Sequence, residues 1–410
     1  MSRLSLILTV GTGTAGRDSF VAQGLRTTVE ILRPRRFWLV PSSSPASIEV
    51  ADYVRDGLEA FVPWTDSEPY RQIEEFDSLQ ACRLAIREVI RVARARLDPG
   101  ERLIVNPTSG TKQMSSGATI AALDENVGEL VFTVGERVDG VVKTGTERLE
   151  TFKAGEYFAE RDFALAQSLF ASGAFASAAR VLKPYRHLAA EHALCTLIHE
   201  WERSNYRNAL AIAKRSAHPA FPNLLEHLKP LAAESSRGGR PSLYVTADLL
   251  GLAKRLFDRK EHEAALLTAC KALEVGVRCE LLDLTGLHEP YRLADLEQLP
   301  GVPSNQLRRF RANATSGGVV RLGLRAVVDL LASQDSVLAE AYLGSRPVKD
   351  SISIRNDRTH QIRAVERAEA HTALREIRGL LAPLPLPAPA RLPATLEPVA
   401  TRESGKTSVA

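Results

Sequence analysis

Short apolar runs alternate with amphipathic segments over the first 150 residues. We predict a buried strand wherever such a run is mostly apolar, at 5–10, 37–40, 58–63 and 102–105. We predict helices where apolar positions recur every three or four residues, at 15–32, 47–58, 77–97 and 115–126. This alternation indicates a Rossmann-like α/β domain with a doubly wound parallel sheet. A terminal hairpin is predicted from 129–134 and 140–144.

Beyond residue 150 the pattern becomes helical throughout. Residues 155–235 are Ala-rich, and three similar phrases at 169–179, 199–210 and 259–265 are typical of helical hairpins. A linker rich in Ser, Gly and Arg separates residues 155–235 from a second helical stretch at 243–381. Six prolines then forbid helix, so a disordered tail is predicted. The predicted class is α/β plus all-α, with domains at 1–150, 151–240, 241–382 and 383–410.

Composition narrows the class of protein without identifying it. The chain is 44% hydrophobic and 25% charged, as ordinary globular proteins are, and its net charge is only +4. Residues 301–380 hold 13 Lys and Arg against 8 Asp and Glu, a weak sign of a polyanionic partner. Four scattered cysteines without a CxxC pair suit reduced thiols, not disulfides or a zinc site. No 18-residue apolar span occurs, so we expect a cytoplasmic protein without a membrane partner.

The turn after the strand at 102–105 carries the first candidate chemistry. It reads Asn-Pro-Thr-Ser-Gly-Thr-Lys-Gln-Met from Asn106 to Met114 and opens a predicted helix. Small hydroxyl residues and Gly110 allow backbone N–H groups to face a ligand, and the helix N-terminus and Lys112 add positive charge. The turn therefore predicts a site for an anionic ligand.

A second turn, after the first strand, matches G-x-G-x-x-G from Gly11 to Gly16. A dinucleotide site also needs an acidic residue after the second strand, and 40–44 reads Val-Pro-Ser-Ser-Ser, which disfavours NAD. No Walker A spacing fits the turn at 106–114, which disfavours ATP hydrolysis. What remains is a pocket at the carboxyl edge of a parallel sheet, without a catalytic metal. Its predicted lining is Gly11, Thr12, Gly13, Ser42, Ser43, Thr108, Gly110, Thr111 and Lys112.

Arg355 and His360 form a second candidate constellation near the C-terminus. On a helix, five residues separate their directions by about 140°. Long side chains at a helix start can still converge, and more easily with copies from a second protomer. His is the natural general acid or base near neutral pH, and Arg can stabilise charge on a phosphorane. With RNA the 2′-OH supplies the nucleophile, so such a pair requires no metal.

Together these motifs resemble the CRISPR-associated CARF–HEPN ribonucleases of type III systems, in the branch with an all-helical insert. The turns at Gly11–Gly13 and Asn106–Met114 resemble a CARF sensor domain. The phrase from Ala264 to Glu274 resembles a long HEPN helix, and Arg355-Asn356-Asp357-Arg358-Thr359-His360 is similar to the HEPN R-x4–6-H motif. The branch often has an aromatic residue where Cys270 stands.

The resemblance implies a homodimer that binds a cyclic oligoadenylate activator across paired CARF domains and cuts single-stranded RNA without a cofactor. It implies Arg355, Asn356 and His360 as the catalytic residues. Cleavage of the ring within the CARF domain stays open, since it needs only in-line positioning of a 2′-OH by residues such as Thr12, Thr111 or Lys112. Two alternatives remain: a sensor whose HEPN domain is catalytically silent, and, ranked last, a nicotinamide enzyme.

Overall fold

The computed structural model describes residues 3–12, 18–61, 66–68, 71–138, 141–234, 240–358 and 364–399. The chain divides into two compact units, Met1–Arg161 and Asp162–Ala410. The predicted domain boundaries at 150, 240 and 382 remain predictions.

The first unit is an α/β domain. Its elements in chain order are β1 (Leu4–Val10), α1 (Asp18–Leu32), β2 (Arg36–Pro41), α2 (Pro45–Phe61), β3 (Asp66–Glu68), α3 (Leu79–Ala95), β4 (Arg102–Asn106), α4 (Lys112–Asp124), β5 (Glu129–Val134), β6 (Arg137–Val138), β7 (Val141–Val142) and β8 (Arg148–Lys153). The strand predicted at 58–63 is wrong, because Leu58 continues the buried face of α2 that Val50 and Val54 begin. These buried residues recur every four positions, which is the spacing of a helix and not of a strand.

Six strands form one sheet in the order β3-β2-β1-β4-β5-β8. The first five are parallel and β8 is antiparallel to β5, which confirms the predicted parallel sheet. The hairpin predicted from 129–134 and 140–144 is wrong. All six residues of β5 pair with β8, whereas among the described residues the short β7 pairs with β6 alone.

Both faces of the sheet are buried. Leu4, Leu6, Leu8 and Val10 of β1 pack on the side of α1 and α2. Ile7 points to the opposite face, with Trp38 and Val40 of β2, against α3 and α4. Because alternate residues of a strand point to opposite faces, a β1 that is mostly apolar and buried along its whole length requires helices on both sides.

The second unit is built mainly of helices, the first of which begins at Gly155, within the last residues of the first unit. Its elements in chain order are α5 (Gly155–Ala171), α6 (Phe175–Leu182), a 3₁₀ turn (Arg186–Leu188), α7 (Ala189–Glu202), α8 (Tyr206–Arg215), α9 (Phe221–Glu234), α10 (Leu243–Asp258), α11 (His262–Thr285), β9 (Tyr291–Arg292), α12 (Leu293–Glu297), α13 (Ser304–Asn313), β10 (Val319–Val320), α14 (Leu324–Ala332), α15 (Val337–Gly344), α16 (Arg346–Arg358) and α17 (Arg367–Leu381). In the part of the chain that the structure describes, no helix is long and apolar enough to cross a membrane.

The three similar phrases in the sequence are helix–turn–helix joints. They connect α5 to α6, α7 to α8 and α10 to α11, each through three residues. In each turn one residue has a left-handed backbone, namely Gly173, Ser204 and Lys260. A left-handed residue after a helix is a common way to end it, and here it reverses the chain for the next helix.

Two large apolar cores and one small cluster of Leu252, Leu256 and Ala265 lie in the second unit. One large core lies among α5–α9 and the other among α10–α17. Residues 383–399 contain no helix or strand, as their prolines predict, but they are not a disordered tail. Leu384 and Leu386 pack on the core of α10–α17, and Leu396 is buried in the core of α5–α9. Proline forbids helix but does not prevent the intervening leucines from being buried; residues 400–410 lie outside the described residues.

Asp248 of α10 is a buried polar anchor for the neighbouring helices. Its Oδ1 accepts a hydrogen bond from Trp201 Nε1 of α7 at 2.9 Å, and its Oδ2 accepts one from the Tyr206 hydroxyl of α8 at 2.9 Å. Burial raises the pKa of the Asp248 carboxyl above its usual range, although these hydrogen bonds and the charge of Arg255 oppose the shift. The carboxylate therefore joins three helices at a cost in desolvation.

We predict that Asp248→Ala lowers the free energy of unfolding by about 2–5 kcal/mol, because it leaves two buried donors unpaired. Asp248→Asn should cost about 1 kcal/mol, since an amide can accept from Trp201 and donate to the Tyr206 hydroxyl. A pKa raised by folding gives stability that is present below the unfolded pKa, about 4, and is lost as pH rises through the folded pKa. The free energy of unfolding measured with urea should therefore decline from pH 4 to pH 8 in the wild type relative to Asp248→Asn. Equal stability of the wild type and Asp248→Ala would contradict the anchor.

Candidate functional site

The carboxyl ends of β1 and β4 lie side by side in the first unit. The two strands pair in parallel, with Leu8 opposite Asn106. β1 also pairs with β2 on its other side, so the order of strands reverses between β1 and β4. Such a switch point leaves a crevice at the edge of an open α/β sheet, where ligands commonly bind.

A hydrogen-bond network holds the turn between β4 and α4. The buried Asn106 accepts from Thr108 N through Oδ1 at 2.9 Å and donates from Nδ2 to Thr133 Oγ1 at 2.9 Å. Thr133 N in turn donates to Thr108 Oγ1 at 2.8 Å. Thr111 is the N-cap of α4, with its Oγ1 accepting from Met114 N at 3.1 Å. The turn is therefore pre-formed, with its shape set by side chains of β4 and β5.

Two glycines let the turns after β1 and β4 touch. Gly11 N donates to Ser109 Oγ at 2.9 Å. A Cβ on Gly11 would lie 2.5 Å from Gly110 Cα, which no side chain can occupy. Gly110 itself has φ +108°, a conformation that L side chains rarely adopt. Both glycines are thus required by geometry; Gly13 lies outside the described residues.

A cleft of about 120 Å³ opens beside this turn, on the side of α1. Its lining comprises Phe20, Val21, Gly24, Leu25, Thr108, Ser109, Gly110, Thr133, Arg137 and Val142. The wall from α1 is mostly apolar, the turn supplies hydroxyl and backbone groups, and Arg137 adds a cation. This combination suits a ligand with an apolar planar part and an anionic part.

The structure brings only some of the predicted ligand residues to the cleft. Thr108 and Gly110 line it, and Gly11 contacts the same turn. Ser42 and Ser43 do not line it. Ser42 N donates to Ser47 Oγ and Ser43 Oγ donates to Glu74 O, so both serines anchor the end of β2.

Two further predicted residues, Thr111 and Lys112, are also absent from the cleft lining. The Thr111 hydroxyl caps α4 and also donates to Phe76 O at 3.0 Å. Lys112 is exposed at the first residue of α4, and Thr12 is partly exposed just after β1. The cleft therefore opens on the α1 side of the predicted turn and not at the N-terminus of α4, and its binding of a ligand stays a prediction.

Sequence reasoning missed the α1 wall, Thr133 and Arg137. One signal was available, because Gly24 lies in the middle of the 15-residue helix α1, where Gly is unfavourable. A Cβ at Gly24 would meet nothing within 4 Å, so helix packing does not require the glycine. Gly24 lines the cleft, so the absence of a side chain leaves space there.

In the second unit, Arg355 lies on α16 and is held by α11. Its Nη1 forms an ion pair with Glu274 Oε1 at 2.5 Å, and both side chains are partly exposed. Asn356 is exposed on the next position of α16. His360 lies outside the described residues, so the predicted pairing of Arg355 with His360 stays a prediction. Glu274 closes the predicted HEPN-like phrase, yet nothing in the sequence marks it as the partner of Arg355.

Cys270 lies one turn before Glu274 on α11. Burial raises the pKa of its thiol to about 12, and the nearby charge of Arg355 opposes that shift only in part. Cys270 therefore stays protonated near neutral pH and acts as a core residue, not a nucleophile. No group of three or more His, Cys, Asp or Glu side chains that could hold a metal ion occurs among the described residues.

Comparison with known proteins gives a match by fold alone. No family model and no curated protein matches the sequence. The structure is similar to Csm6 of Enterococcus italicus, a CARF–HEPN ribonuclease, solved bound to cyclic hexa-2′-fluoro-hexa-dAMP. The TM-score is 0.62 at 13% sequence identity, over 93% of this chain and 94% of Csm6. This likeness confirms the predicted fold class, an N-terminal Rossmann-like domain followed by helical domains.

Proposed function

We propose that this protein is a single-stranded RNA endonuclease activated by a cyclic oligoadenylate, acting in type III CRISPR defence. The observation that carries the proposal is the shared fold with Csm6 over nearly the whole of both chains, in a structure of Csm6 with a cyclic oligoadenylate analogue. The residues of the first unit support binding of the cyclic oligoadenylate, and the residues of the second unit support cleavage of RNA.

The cleft of the first unit has the chemistry that an oligoadenylate requires. Phe20 and Leu25 of α1 offer an apolar surface to a base. The β4–α4 turn offers small hydroxyl residues, and Arg137 offers a charge for a phosphate. A homodimer would place two such clefts about a two-fold axis, which matches the symmetry of a cyclic ligand. The activator is then the sensor's ligand and not a cofactor of the cleavage step.

In the nuclease, Arg355 stabilises the negative charge that builds on the phosphate oxygens. The 2′-oxygen of the ribose attacks the neighbouring phosphorus while the bond to the 5′-oxygen breaks. The products are a 2′,3′-cyclic phosphate and a free 5′-hydroxyl. His360 transfers the proton as general acid or base, and the exposed Asn356 is available to contact the phosphate. Every atom of this step comes from RNA and protein, so we expect it to proceed without a metal.

One observation favours a second candidate, a sensor whose helical domain is catalytically silent. The ion pair with Glu274 compensates the charge of Arg355. A compensated guanidinium is a weaker stabiliser of phosphorane charge than a bare one. Under this alternative the first unit still binds the cyclic ligand and the second serves as a dimerisation or docking platform.

The first test is cleavage of a fluorogenic single-stranded RNA in EDTA, with cyclic tri-, tetra- or hexa-adenylate added separately. We expect one of these three cyclic adenylates to activate cleavage by the wild type. His360→Ala should lower the cleavage rate by roughly 10²–10⁴-fold while leaving binding of the cyclic adenylate intact. Arg203→Ala, an exposed change on the middle helices, is the matched control. Ligand binding without cleavage by the wild type would instead support the silent sensor.

Variants of Glu274 separate the two candidates further. If Glu274 positions Arg355 for catalysis, Glu274→Ala should lower kcat by roughly tenfold or more with little change in KM. Glu274→Gln should lower kcat less than Glu274→Ala does, because its amide oxygen still accepts a hydrogen bond from Arg355. A rise in activity in either variant would show that the ion pair restrains Arg355, contrary to this expectation.

The cleft is tested by Gly24→Leu. The backbone tolerates a Cβ there, so the variant should be at least as thermally stable as the wild type. Its side chain would fill the cleft, and we expect the activator concentration for half-maximal cleavage to rise by roughly tenfold or more. Gly24→Ala, which adds a single methyl group, is the matched control and should have a smaller effect. Normal activation of a folded Gly24→Leu protein would place the ligand elsewhere.

A further inference from the structure

Three charged residues line one face of α11 in the second unit. Lys271, Glu274 and Arg278 are spaced by three and four residues, so their side chains lie along the same side of the helix. Lys271 is exposed, and Glu274 holds Arg355. The two basic residues therefore flank the position of Arg355, one turn of helix to either side.

Arg278 ties a two-stranded ribbon to this face. Its Nη1 donates to Glu274 O at 3.2 Å and its Nη2 donates to Leu322 O at 3.1 Å. Leu322 lies two residues after the end of β10 in the ribbon of β9 and β10, which also contributes the buried Tyr291 and Val320 to the core. The ribbon thus lies against α11 beside the residue that holds Arg355.

The ribbon carries two exposed arginines. Tyr291 pairs with Val320 and both are buried, so Arg292, which pairs with Val319, lies on the other face of the ribbon. Arg321 directly follows β10 and precedes Leu322, whose carbonyl accepts from Arg278. Both arginines are exposed.

Three acidic side chains near this face are already engaged in ion pairs. Glu274 pairs with Arg355, Glu289 with Arg278 at 3.2 Å, and Asp329 with Arg325 at 2.8 Å. By contrast, Lys271, Arg292 and Arg321 form no ion pair with any residue that the structure describes. The charges of these three basic side chains are therefore not compensated by an ion pair within the described residues.

We infer that Lys271, Arg292 and Arg321 form a basic track that binds the phosphodiester backbone of single-stranded RNA on both sides of Arg355. The inference rests on the proposed nuclease function and names the surface that holds its substrate. Contacts to phosphate position a strand without reading its sequence and are weakened by salt. The track therefore acts on substrate affinity and not on the chemical step.

The test measures binding of a fluorescein-labelled single-stranded RNA by anisotropy between 50 and 300 mM KCl, in a His360→Ala background with saturating cyclic adenylate. The variants are Lys271→Gln and the double change Arg292→Ala with Arg321→Ala, and Arg203→Ala is the control. We expect Kd to rise roughly three- to tenfold for Lys271→Gln and more for the double variant, equally for unrelated RNA sequences. The slope of log Kd against log salt should fall by about one for each contact removed. With His360 intact, KM should rise while kcat is retained.

The outcomes distinguish the track from the function on which it rests. If the wild type cleaves RNA but folded track variants keep their Kd, salt slope and KM, the track is wrong and the nuclease proposal stands. If the wild type neither binds nor cleaves RNA with any ring, both fail. A loss of kcat with unchanged KM would also overturn the track, because it would place these residues in the chemical step.

Discussion

The burial of β1 on both faces is the constraint from which the first unit follows. All seven of its residues are inaccessible, and alternate side chains enter the core under α1 and α2 or the core under α3 and α4. A strand of this kind requires helices on both sides of the sheet. The crossovers from β1 to β2 and from β3 to β4 then run in opposite directions, and the switch point opens between β1 and β4.

The same constraint explains why the crevice is lined by backbone and small side chains. Strands that pair in parallel end at one edge, so the turns after β1 and β4 must pass within contact distance. Gly11 and Gly110 make that approach possible, and the hydroxyl groups of Ser109 and Thr108 satisfy backbone donors there. The turn is held by the fold before any ligand arrives, which lowers the entropy cost of binding.

In the second unit the 24-residue helix α11 has the corresponding central role. One side of it is buried in the core and carries Cys270, Leu273 and Val277. The other side holds Arg355 through Glu274 and the β9–β10 ribbon through Arg278. Packing and polar contacts on one helix thus fix the arrangement of the groups proposed to act on RNA.

The pattern of apolar and polar residues along the chain was enough to predict the class of fold, and local motifs marked the two candidate centres. The spacing of apolar residues predicts strands and helices correctly where a run is long and uniform, as in β1 and α3. The turn that opens α4 was also predicted, from its small and hydroxyl residues. Tertiary structure decided the rest, because the outcome there depends on distant residues. It paired β5 with β8, extended α2 through Leu58, and buried Leu396 of a proline-rich segment. It also placed the cleft on the α1 side, away from Ser42 and Lys112, and brought Glu274 to Arg355 across 81 residues of chain. Local propensity cannot report such contacts, since each depends on which faces the core brings together.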